Sequence, residues 1–73
     1  MRTLVTISKH TVDWSAELDA RGAVRLFRGV RAVADAKWCV GRILPGDKPA
    51  LGLPRDVIAE LEAALEAALQ RAA

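Results

Sequence analysis

From Pro54 onward the large apolar residues Val57, Ile58, Leu61, Leu65 and Leu69 recur at three- and four-residue steps, with Ala64, Ala68 and Ala72 between them. That spacing predicts an amphipathic α-helix over 54–73. Pro54 suits the first turn, where a missing N–H costs nothing. Asp56 near the start and Arg71 near the end complement the helix dipole. Such a helix cannot persist alone. Burying its large side chains contributes roughly 8 to 15 kcal/mol, at about 1.5 to 3 each, whereas ordering about twenty residues costs about 1 to 2 kcal/mol apiece. About two heptads fit within it, too few for a coiled-coil seam, so the surface that receives it is expected to be the chain's own sheet.

The preceding residues supply that sheet. Val12, Trp14, Ala16 and Leu18 alternate with Asp13, Ser15 and Glu17, the period-2 pattern of a strand with one buried face. Asp19-Ala20-Arg21-Gly22 then places an acid first and glycine fourth, which suits a type I turn closed by a left-handed glycine. A return strand is expected from Ala23, with Val24 and Leu26 inward and Arg25 and Phe27 outward. A helix is the rival over this stretch, because Ala23, Leu26, Phe27, Val30, Val33 and Ala34 also fit one helical face. It would have to run through Gly22 and Gly29, losing about 1 kcal/mol at each relative to alanine, so the hairpin is preferred. A short helix within Val30 to Lys37 is still compatible with the pattern.

Leu4, Val5 and Ile7 among threonines predict a further strand over Thr3 to Ser8, and Trp38 to Leu44 predicts another, ended by Pro45-Gly46-Asp47. Three prolines and two glycines between Pro45 and Pro54 mark a loop over 45–53 that carries the chain from sheet to helix. The expected architecture is one α+β domain spanning 1–73, a small antiparallel sheet of three to four strands packed by the C-terminal helix, with 1–44 mainly β.

At 73 residues the core must be modest. The 52% apolar and 27% charged content lies far from the composition of disorder. The net charge of +2 divides unevenly: residues 1–50 carry +4 and residues 51–73 carry −2. A basic body of this kind favours an acidic partner, protein or nucleic acid, although +4 is less than dedicated DNA-binding domains show. Cys39 is the one cysteine, so no disulfide can staple the chain, and a reducing, cytoplasmic setting is expected. No segment approaches the roughly 18 to 20 apolar residues of a membrane span, and no membrane partner is expected.

Chemistry-bearing residues are few. His10 is the one histidine, and a Cys39–His10 pair would lack a third, orienting group at any recognisable spacing. One histidine and one cysteine do not make a metal site. Glu60, Glu62 and Glu66 read as the solvated side of the last helix, and no phosphate-cradling glycine motif occurs. Neither catalysis, a metal nor a cofactor is expected, and a monomer is. What remains is the series Arg21, Arg25, Arg28 and Arg31, with Lys37 and Arg42 nearby, interleaved with Phe27 and Trp38. Arginine beside aromatics suits protein hot spots and nucleic-acid stacking alike. The 4% aromatic content and the absence of recognisable nucleic-acid-binding motifs favour a protein partner, with a small basic nucleic-acid-binding module as the alternative. The strand over Thr3 to Ser8, poor in charge, is a candidate edge for pairing with a partner segment.

From Met1-Arg2-Thr3-Leu4-Val5 through Trp38-Cys39-Val40 to the alanine-rich tail, the chain resembles the small phage-encoded transcription regulators that bind host RNA polymerase, such as that of a lytic Xanthomonas phage. The resemblance implies binding to the N-terminal part of the polymerase β′ subunit, interference with sigma-dependent initiation, and antitermination. It carries no motif from which a functional residue can be transferred. Arg25, Phe27, Arg28 and Arg31 are the expected contacts for a partner.

Overall fold

The computed structural model describes residues 2–45 and 52–72. Five strands precede one helix: β1 (Thr3–Lys9), β2 (Val12–Leu18), β3 (Ala23–Arg28), β4 (Arg31–Cys39), β5 (Arg42–Leu44) and α1 (Arg55–Ala72). The strands form one antiparallel sheet in chain order, β1-β2-β3-β4-β5. The sheet is curled, and α1 packs against β1, β2 and β5. The expected α+β architecture is therefore present, with five strands where three to four were predicted.

The β2–β3 hairpin follows the sequence closely. Gly22 N–H donates to Asp19 O at 3.2 Å, closing the turn, and Gly22 holds φ +87°. The Asp19 carboxylate accepts the N–H groups of Arg21 at 2.8 Å and Ala23 at 3.0 Å. These bonds, that from Ala23 foremost, hold its carboxyl below the usual aspartate range despite some desolvation. Val24 and Leu26 are buried, and Arg25 is exposed.

Two expectations need correction. The possible helix within Val30 to Lys37 is strand β4, which pairs with β3 through Arg28↔Arg31, Phe27↔Ala32 and, past an irregularity at Val33, Leu26↔Ala34 to Ala23↔Lys37. Val30, Val33 and Ala34 fit the spacing of a helical face, but pairing along β3 outweighs so short a local pattern. The strand predicted over Trp38 to Leu44 is two strands, because Val40 and Gly41 both take positive φ, 48° and 79°. That is the signature of a two-residue type I′ turn. Asparagine usually occupies the position that Val40 holds, which is why the sequence hides the turn. His10 and Thr11 likewise have positive φ, 56° and 60°, between β1 and β2.

The core lies between the inner face of the sheet and α1. Trp14, Ala16 and Leu18 of β2 meet Val24, Leu26, Ala36 and Ile43 from the sheet and Val57, Leu61 and Leu65 from the helix. The last three are spaced by one turn each and are fully buried. Helix α1 begins after Pro54, whose C=O accepts the N–H of Ile58 at 3.1 Å. Most of the loop predicted over 45–53 lies outside the described residues.

Candidate functional site

Strand alternation sorts the four expected contact residues onto two faces. Arg25 and Phe27 are two apart on β3 and project from the outer face, away from α1. Arg28 is on the inner side, opposite Trp14 in the β2–β3 register. Its guanidinium carbon lies 5.7 Å from the centre of the Trp14 ring, within cation–π range. Arg31 faces Arg28 across the two-residue turn Gly29-Val30 and shares its side. The structure thus joins the four residues in one hairpin but not in one flat surface.

On the outer face, cross-strand neighbours form two contrasting rows. Leu4, Glu17, Arg25 and Asp35 follow one another across β1 to β4. Arg25 Nε lies 3.5 Å from Asp35 Oδ1, and Arg2 Nε lies 3.8 Å from Glu17 Oε1. Alternating charges partly satisfy one another here, and a shallow depression of 330 Å³ lies among Arg2, Glu17, Arg25 and Asp35. The second row is Thr6, Ser15, Phe27 and Ala32. Thr6 and Ser15 hydroxyls hydrogen-bond at 3.0 Å. Phe27 therefore sits half-buried on the uncovered side of the sheet, flanked by small side chains, with Val33 exposed on the neighbouring strand β4 and Leu4 exposed on the edge strand β1.

The two sheet edges differ. On β5, Ile43 N–H points away from β4 and donates to Glu62 Oε2 of α1 at 2.8 Å. Glu62 was expected to be solvated; it closes this edge instead. On β1, the register and the two-residue turn direct the backbone groups of Leu4, Thr6 and Ser8 away from β2. No side chain among the described residues bonds to them, so water or a partner must satisfy them.

Sequence reasoning missed a further cluster where the β1–β2 turn meets the helix start. Lys9 Nζ lies 3.0 Å from Glu60 Oε2 and 3.9 Å from Asp56 Oδ2, and His10 Nε2 lies 2.7 Å from Asp56 Oδ2. Desolvation opposes the charge on Asp56, but hydrogen bonds from His10 and from the Val57 N–H, with the charges of His10 and Lys9, outweigh it. The Asp56 carboxyl consequently titrates below its usual range. His10 and Asp56 are 46 residues apart in the chain, and no local pattern announces the cluster.

Cys39 and His10 sit at opposite ends of the sheet. Cys39 adjoins the β4–β5 turn and His10 lies in the β1–β2 turn, about 20 Å apart for strands of this length. They make no nucleophile–base pair. Among the described residues no group of three or more His, Cys, Asp or Glu side chains could hold a metal ion, and no helix is long and apolar enough to cross a membrane.

No family model, curated protein or solved structure matches this chain.

Proposed function

We propose that the chain is a protein-binding module that works without catalysis, docking on a partner through the outer face of its sheet around Phe27. Phe27 carries the reading. Large aromatic side chains normally go to the core, and here the one phenylalanine stands on the face that the helix leaves bare, with Arg25 beside it on the same strand. A half-exposed aromatic next to an arginine matches the composition of binding hot spots. Strand β1, whose outward backbone groups have no side-chain partner among the described residues, offers a second component by strand addition at the edge of the same sheet.

The resemblance to phage regulators supplies the partner. In this reading the chain acts as a monomer in the cytoplasm of an infected bacterium, binds the N-terminal part of the RNA polymerase β′ subunit, and disfavours the state competent for sigma-dependent initiation, with antitermination as a further consequence. A ligand that prefers one polymerase state shifts the balance by its differential affinity, with no chemistry required.

Isothermal titration of the purified chain against bacterial RNA polymerase, and separately against the isolated β′ N-terminal part, tests the proposal together with promoter-dependent transcription. Saturable binding to both, with reduced initiation, is the expected result. Absence of binding to polymerase at tens of micromolar overturns the assignment of the partner.

A further inference from the structure

Arg28 and Arg31 occupy directly opposed positions at the closed end of the β3–β4 hairpin. Side chains so placed stand about 4.5 to 5.5 Å apart at Cβ, and like charges there destabilise the sheet. Elsewhere the protein avoids this arrangement: Glu17, Arg25 and Asp35 alternate in sign across three strands. Arg28 and Arg31 have no carboxylate within ion-pair distance among the described residues. The Trp14 ring fixes the position of one of them. At the tip between them Val30 is fully exposed, and Gly29 holds φ +62°, the first position of the turn, so the geometry of the tip is set by the backbone.

We propose that Arg28 and Arg31 form a two-pronged clamp for a carboxylate side chain in an acidic segment of a protein partner, with Val30 contacting an apolar neighbour of that acid. Two guanidinium groups converging on one oxyanion give charge-assisted, geometrically selective hydrogen bonds. Nucleic acid would offer oxyanions too, but base stacking needs an accessible aromatic face. At this end Trp14 is buried beneath Arg28, with its Nε1–H donated to Lys9 O at 3.0 Å, and Phe27 is on the other side of the sheet. The proposal rests on the protein-binding reading above and adds a second contact at the β3–β4 tip, on the side of the sheet opposite Phe27.

The test is an NMR titration of the intact chain with a synthetic peptide of alternating leucine and glutamate, its glutamine counterpart and an oligothymidylate. Saturable shifts of the Trp14 indole and of the Arg28 and Arg31 side-chain N–H signals are expected with the glutamate peptide. Binding should be about tenfold weaker for the glutamine peptide and for R31Q, which leaves Arg28 over Trp14. R28K/R31K should retain part of the affinity. Shifts spread evenly over all the cations, or none, overturn the clamp, and tighter binding of oligothymidylate to the same signals assigns the site to nucleic acid instead. If RNA polymerase binds R31Q as tightly as the unaltered chain, the clamp fails and the polymerase reading survives. If polymerase fails to bind while the glutamate peptide docks, the reverse holds.

Discussion

Glu62 of α1 accepts the backbone N–H of Ile43 in β5 at 2.8 Å, so a helix side chain takes the place of a sixth strand along that edge. Ile43 itself is buried. Replacing Glu62 by alanine leaves this N–H without its partner and is expected to cost about 1 to 3 kcal/mol, whereas E62Q keeps an acceptor and should cost less. Urea unfolding gives the cost, and amide exchange at Ile43 should accelerate in E62A ahead of its sheet neighbours.

Val40 holds φ 48° immediately before Gly41. A β-branched residue is strained in that conformation, and asparagine tolerates it. V40N should stabilise the protein by about 1 kcal/mol, seen as a higher thermal midpoint with unchanged circular dichroism. An unchanged or lower midpoint would contradict the turn geometry.

Leu61 is fully buried at the middle of the helix face that meets the sheet. L61A should cost about 2 to 5 kcal/mol through lost transfer energy and the cavity left behind. In a domain this small the loss takes most of the stability, and the variant's urea midpoint should collapse towards zero.

The carboxylates of Asp19 and Asp56 titrate below the usual aspartate range in the folded chain. Their stabilising effect is fully present above the unfolded value of about 3.9 and is lost as pH falls through the lower folded values. Acid unfolding should therefore steepen below about pH 4. In D19N the contribution of this group disappears, and the acid limb of the stability curve should flatten.

Phe27 is the last case. It contributes little to the core, since it lies on the face opposite Val57, Leu61 and Leu65, so F27A should fold normally. If the outer face is the docking surface proposed above, binding of the polymerase falls in F27A by about 2 kcal/mol or more, the loss typical of a hot-spot aromatic. An F27A variant that binds as well as the unaltered chain would move the docking surface elsewhere.

The helix, the Asp19–Gly22 turn and the inward set on β2 and β3 were legible because each depends on local periodicity or on residues within one turn. Val40-Gly41 escaped because its geometry is held by pairing between β4 and β5 and not by the usual turn residue. The apolar spacing of Val30, Val33 and Ala34 was compatible with a short helix, and only pairing with β3 decides for a strand. Arg25, Phe27, Arg28 and Arg31 were named from the sequence as candidate contacts, and alternation rightly placed Arg25 and Phe27 on the outward side of β3. The stacking of Arg28 on Trp14, the Arg28↔Arg31 opposition and the Glu62 bond each depend on partners brought in by the fold, for which a single sequence carries no signal.

Because each strand pairs with its successor in the chain, every sheet contact closes only a short loop. Hairpins of this kind form in about 1 to 10 μs, and chains dominated by local contacts fold fast. The docking of α1 against β1 and β2 is the exception, joining segments far apart in the sequence. The apolar side of the meander is covered only when the helix arrives, because Val57, Leu61 and Leu65 supply the other half of the core, so the last segment of the chain is the one that completes the fold.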